Sequence, residues 1–203
     1  MKRTLALIML AALAIGCRHQ SFTRIAPLPA GYDLDHLTDC TVPASFSAED
    51  FNWRGSNLEL TVYSEDIYDA VEVLQMKPGD TLVFAGAPIV VKTIVEENGY
   101  LTVNGGIEEG GAYLKPNEGG TYRSLLLDDH PFYTELGRTQ VMLDDDFVII
   151  DCGTEPNDPS DTVRTAQKPY IESLGTRSDF SELDTRVRIE GGRLTEVNRH
   201  WIP

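Results

Sequence analysis

Three kinds of side chain in this sequence have the types and spacing to do chemistry: thiols, clustered acids and histidines. The thiols are Cys17, Cys40 and Cys152. Acids gather at Asp128-Asp129-His130, at Asp144-Asp145-Asp146, and through Asp151, Glu155, Asn157, Asp158 and Asp161. Carboxylate and amide oxygens at that density are what a hard cation such as Ca²⁺ takes as ligands. The candidate metal ligands are accordingly Asp151, Glu155, Asp158 and Asp161. None of these runs has the EF-hand spacing of D-x-[DN]-x-[DN]-G with a distant Glu, and three acids in a row more often form a solvated turn. Of the four histidines His130 directly follows a pair of acids, and no H-E-x-x-H pair occurs. An Asp129–His130 pair would serve a hydrolase only with a remote Ser, and adjacent strand residues point to opposite faces. There is no G-x-S-x-G elbow and no S-x-x-K motif. The residues therefore nominate no catalytic group and no cofactor.

Gly105-Gly106-Ile107-Glu108-Glu109-Gly110-Gly111 carries two acids and no Lys. A phosphate cradle needs backbone N–H groups free of competing negative charge, so this run reads as a loop that requires positive φ. Phe51, Trp53, Tyr63, Tyr68, Tyr100, Tyr113, Tyr122 and Trp201 would form a sugar-stacking platform where exposed, and core or hairpin pairs where buried. With 17 Lys and Arg against 32 Asp and Glu, the net charge is −15. Nucleic acid is excluded as a partner, because phosphate neutralisation needs a basic patch.

The N-terminus has an address. Lys2 and Arg3 precede an uncharged run from Leu5 to Ile15. As a helix that run spans roughly 16 Å, well short of the about 30 Å of a bilayer core. Its length suits a secretory signal. Its end, Leu13-Ala14-Ile15-Gly16-Cys17, resembles the lipobox of bacterial lipoproteins. The resemblance implies a signal peptide over residues 1–16, cleavage before Cys17, and acyl chains (palmitate among them) on Cys17. Two or three chains hold a protein stably, at about 0.8 kcal/mol per buried CH₂. Arg18, where inner-membrane members of that class often carry Asp, implies an outer membrane, facing the periplasm. Residues 17–40, with Pro27, Pro29 and Gly31, read as lipidated Cys and flexible tether. Residues 41–203 read as a single β-rich domain. Export also exposes thiols to an oxidising compartment, and with Cys17 acylated, Cys40 and Cys152 are the pair left for a disulfide.

The elements that must position these residues are mostly strands. Leu58, Leu60 and Val62 alternate with Glu59, Thr61 and Tyr63, the pattern of a half-buried strand. Ser64-Glu65-Asp66 reads as a helix start, with Ile67, Ala70, Val71 and Leu74 at helical spacing. Lys77-Pro78-Gly79-Asp80 is a turn, followed by strands over 81–85, 89–97 and 100–103, the last two joined through Asn98-Gly99. A hairpin is expected around 116–120 and strands over 139–143 and 147–152. A helix is expected from 159 to about 167, broken at Pro169. The closing hairpin turns at Gly191-Gly192 and sets Glu190 opposite Arg193. The predicted class is mainly β: an antiparallel β-sandwich or barrel-like domain with one or two short helices.

The stretch from Ile67 through Gly79-Asp80 to Ile94 resembles a piece of the SH3-like barrels. The closing hairpin and Asn104-Gly105-Gly106 resemble small uncharacterised gut-bacterial lipoproteins, a likeness that carries no function. Together these observations predict a non-catalytic, lipid-anchored cell-envelope protein with a β-rich binding or scaffolding domain. Its partners would be the membrane, through the acyl chains, and an envelope protein or glycan. The alternative is an envelope hydrolase or metal-dependent enzyme built on the acidic loops 128–130 and 144–161.

Overall fold

The computed structural model describes residues 22–126, 129–151, 163–164, 167–174 and 180–200. The first strands are β1 (Arg24–Ile25), β2 (Cys40–Ser45), β3 (Phe51–Asn52), β4 (Asn57–Glu65) and β5 (Ile67–Asp69). Helix α1 (Ala70–Leu74) leads into β6 (Thr81–Phe84), β7 (Ala87–Val90), β8 (Ile94–Glu97), β9 (Tyr100–Val103), β10 (Ala112–Asn117) and β11 (Thr121–Leu125). Then come β12 (Tyr133–Asp151), β13 (Val163–Arg164), α2 (Gln167–Leu174), β14 (Thr185–Glu190) and β15 (Arg193–Arg199). The class is mainly β, as the alternation predicted.

One long strand closes a ring. The first half of β12, Tyr133 to Met142, runs antiparallel to β4, and its second half, Met142 to Asp151, runs parallel to β15. With β15, β14, β2 and β4 paired in that order, the five strands return to β12. A closed ring leaves no unpaired edge. Its interior is filled by the inward residues of every strand, including Val42, Leu58, Leu60, Val62, Ile149, Val187, Leu194 and Val197. Phe180 stacks on Phe46 at 4.5 Å, Phe46 meets Phe51 edge-on, and Ile171 of α2 joins the same core.

Between β4 and β12 the chain leaves the ring and, with β1 added from the N-terminal stretch, builds a two-layered sandwich. A five-stranded sheet, β5-β11-β10-β9-β8, faces a three-stranded one, β1-β6-β7. Ile25, Tyr68, Val73, Leu82, Val103, Ala112 and Leu114 form a second core between them. The chain leaves and returns through adjacent segments. The Asp66 N–H donates to the Phe132 carbonyl, and Ser124 links both through its own N–H and C=O. The expected single domain thus has two cores, one in the ring and one in the insertion.

The turns follow the sequence. Asn98 and Gly99, at φ 53° and 82°, join β8 to β9, and Gly191-Gly192 joins β14 to β15. Asp80 is 1% exposed; its Oδ2 accepts the Lys77 N–H at 2.9 Å and its Oδ1 the Thr23 N–H at 2.8 Å. Gly111 sits where a Cβ would fall 1.8 Å from the Val103 carbonyl oxygen. Gly111→Ala is therefore expected to cost about 1–3 kcal/mol through overpacking against backbone. Urea unfolding checks this, and an unchanged midpoint would contradict it.

Several expectations are corrected. Of the stretch 17–40, residues 17–21 lie outside the described ones and residues 22–40 are not a free tether: β1 pairs in parallel with β6, Ile25 is fully buried, and Leu37 enters the ring core. The docked side chains, Ile25 and Leu37, lie on either side of Pro27 and Pro29, while Leu28 between the prolines is exposed. Ser64 and Glu65 extend β4 opposite Tyr133 and Thr134, so the helix starts later, at Ala70, capped by the Asp69 carboxylate. Its buried residue is Val73, while Val71 and Leu74 face solvent. The strand over 89–97 is split, because Asn104 Oδ1 takes the N–H groups of Lys92 and Thr93. The strands over 139–143 and 147–152 are parts of β12 as far as Asp151. Of the helix over 159–167, Val163–Arg164 is a strand beside Ile149 and Ile150, and residues 159–162 and 165–166 lie outside the described ones. Helix α2 begins at Gln167 and holds Pro169 in its first turn, where no N–H is needed. Glu190 does stand opposite Arg193, but its carboxylate takes the Arg188 guanidinium, and Arg193 donates to the Leu143 carbonyl.

Candidate functional site

The five-stranded sheet has two faces with different chemistry. Leu101 and Val103 of β9 and Leu114 of β10 point into the sandwich core. The intervening residues Tyr100, Thr102, Tyr113 and Lys115 point outward, as the two-residue period of a strand demands. Pairing sets them in rows: Thr102 lies between Val95 and Tyr113, and Tyr100 lies opposite Glu97. The segment after β11 rises beside this face and leaves an open groove of about 440 Å³. Glu97, Tyr100, Thr102, Tyr113, Leu126 and Asp129 line it.

Its two tyrosines are held in place. The Tyr100 hydroxyl donates to Asp129 Oδ1 at 2.8 Å, and Lys115 Nζ meets Asp129 Oδ2 at 2.5 Å while lying 5.2 Å from the Tyr100 ring centre. Tyr113 donates to Glu108 Oε2 at 2.7 Å. Its ring lies over Gly106, where a Cβ would come within 2.1 Å of the ring. The glycine-rich loop is thus a seat for Tyr113, with Gly105, Gly106 and Gly110 at positive φ as expected, and Gly111 in an ordinary backbone region. The Lys115 hydrogen bond, then that of Tyr100, holds the Asp129 carboxyl below the ordinary carboxylate range. Its ion pair is therefore present above that range and is lost as pH falls through the lowered value. Half-exposed aromatic faces beside fixed carboxylates can stack on an apolar ring face and accept hydrogen bonds from hydroxyls at its rim.

The residues singled out from sequence are scattered. Cys17, Asp128, Cys152, Glu155, Asp158, Asp161 and Trp201 lie outside the described residues. Asp129 is engaged by Lys115 and Tyr100 on the groove side, and His130 follows it on the chain as it returns to the ring. Asp144-Asp145-Asp146 form a bulge where β12 shifts register on β15, with the Asp146 N–H bonded to Asp144 Oδ1. Among the described residues no three His, Cys, Asp or Glu side chains converge as metal ligands would. Asp151 is buried, and its carboxylate is clasped by Arg199, Nε on Oδ1 at 2.9 Å and Nη2 on Oδ2 at 2.7 Å, with the Tyr170 hydroxyl on Oδ2. Burial pulls the Arg199 pKa down, but the bonds and charge of Asp151 outweigh it and leave it raised.

Cys40 is half-buried and a free thiol, its pKa raised by burial and by the charge of Asp39. It lies level with Ile189 and Leu194, whereas Asp151 lies level with Arg199. Those levels are roughly 17 Å apart along β15; Cys152, the expected partner of Cys40, lies outside the described residues. The aromatic platform divides the same way: Phe51 and Tyr68 are core, Trp53 stacks on Phe51 at 5.0 Å, and Tyr100 and Tyr113 face the groove. Sequence inspection missed Thr102, Lys115 and Leu126, although the alternation with Leu101, Val103 and Leu114 signals the outward face.

Among the described residues no helix is long and apolar enough to cross a membrane. Compared with known proteins, the chain matches no family model, no curated protein and no solved structure.

Proposed function

We propose that this chain is a non-catalytic, lipid-anchored protein of the bacterial cell envelope whose sandwich binds an envelope glycan. The lipobox resemblance at Leu13 to Cys17 supports the anchor. The groove supports the binding role, and the observation that carries it is the pair Tyr100 and Tyr113, half-exposed and each fixed by a carboxylate. Rings held in advance lose little freedom when a sugar stacks on them. Asp129, which a hydrolase would set against His130, is instead committed to Lys115 and Tyr100.

Two measurements test the two halves. Labelled palmitate should enter the wild type and not Cys17→Ser; release of unlabelled wild type would remove the anchor. Soluble peptidoglycan fragments should shift the Tyr100 and Tyr113 resonances. Tyr113→Ala should weaken binding about tenfold, or about 1.4 kcal/mol. A variant that binds as tightly as the wild type, or a wild type that binds no fragment, would remove the glycan role.

A further inference from the structure

Between Cys17 and Phe22 lie only residues 18–21. Even fully extended, they leave the two Cα atoms at most roughly 18 Å apart. From Thr23 onward the chain is fastened: the Thr23 N–H is held by Asp80, its carbonyl takes the Thr81 N–H, and Arg24-Ile25 pair with Thr81-Leu82. The β1-β6-β7 sheet is therefore the part of the fold tied closest to Cys17.

Its outer face is unlike the rest of the molecule. All 32 acidic residues lie from Asp33 onward, so the stretch through Tyr32 holds cations alone. From residue 73 to 95 the acid is Asp80, 1% exposed and bonded to backbone. The same two stretches place Arg24, Lys77 and Lys92 on the surface. Arg24, Thr81 and Val90 form one row across the sheet, with their neighbours Ile25, Leu82 and Ile89 turned inward. Phe22 is 59% exposed, lying against Gly79, and Val90 is 58% exposed. Glu109 shares a hollow with Val90 and Lys92 and marks the far rim of this face. On a chain of net charge −15, a sheet whose strands carry no acid, with two bare apolar side chains at its face, is a local exception.

Resting on the anchor proposed above, we infer that the outer face of the β1-β6-β7 sheet lies on the lipid surface. Phe22 and Val90 enter the headgroup region, and Arg24, Lys77 and Lys92 meet anionic lipid phosphates. The acidic remainder points away, where like charge does not oppose contact. Since both sheets share one core, the groove of Tyr100 and Tyr113 opens on the side away from the bilayer.

The test uses the acylated full chain in vesicles of phosphatidylethanolamine and phosphatidylglycerol carrying a headgroup-level nitroxide lipid. A fluorophore is placed at Val90→Cys or, on the opposite outer face, at Val95→Cys (52% exposed), with Cys40 and Cys152 replaced by Ser. Quenching should be several-fold greater at residue 90 than at 95. Protein that floats with the vesicles yet quenches equally at both sites overturns this orientation and leaves the anchor intact. Wild type that does not float overturns the anchor, and this inference with it.

Discussion

Arg199→Ala is expected to destabilise the protein by about 3–5 kcal/mol, because it takes from the buried Asp151 carboxylate the guanidinium that clasps both of its oxygens. Both side chains are within the ring end, 5% and 0% exposed, and the guanidinium also lies 4.6 Å from the Phe180 ring centre. For a chain of this size the loss corresponds to a fall in Tm of roughly 6–20 °C. Asp151→Ala should cost a similar amount, and the double variant less than the two singles together, since removing both charges leaves neither stranded. The same series decides the metal question for Asp151. A Ca²⁺ site at 100 times its dissociation constant would add about 2.7 kcal/mol. Millimolar Ca²⁺ is expected to leave the wild-type Tm unchanged. A rise of several degrees, abolished in Asp151→Asn, would make Asp151 a ligand after all. A cost below about 1 kcal/mol for Arg199→Ala would show that the pair is not desolvated.

Ile25→Ala is expected to cost about 2–5 kcal/mol, the range for truncating a buried aliphatic residue. Ile25 is fully buried in the sandwich core beside Leu82. Phe22→Ala, three residues earlier and 59% exposed, should change stability by no more than about 0.5 kcal/mol. Chemical unfolding of both variants separates a docked strand from a tether, since in a tether neither change would register. An Ile25→Ala variant as stable as the wild type would return residues 22–37 to the status of a spacer.

What the sequence made legible was local. The alternation about Leu60, the Asn98-Gly99 turn and the Lys77–Asp80 turn each act over a few residues, and each is where it was expected. Long-range pairing left no such mark. Nothing in the run from Tyr133 to Asp151 announces that its two halves serve different neighbours. The acids at Asp144–Asp146, which invited a reading as ligands, lie in the bulge where β12, already paired with β15, shifts its register on that strand. Strand β1 is two residues long, too short for a period to show, and its burial comes from β6, more than fifty residues away. At the groove, the sequence offered Tyr100 and Tyr113 among eight aromatics. Only the register of β9 against β10 brings them to one face, and only the return of the chain after β11 brings Asp129 over them.

The placement of the sandwich inside the ring has a consequence in time. A chain is made from its N-terminus, and every strand of the sandwich has appeared once Leu125 is complete. The ring has by then only β2 and β4 of its five strands, with Leu58, Leu60 and Val62 lacking the partners that later bury them. Sealing waits for Arg199, which at 5–20 residues per second comes roughly 4–15 s later. During that interval the inserted part can fold while its host stands open. Chain-end truncations should therefore strand an ordered sandwich on an unsealed ring, the species that a folding helper or protease would meet first.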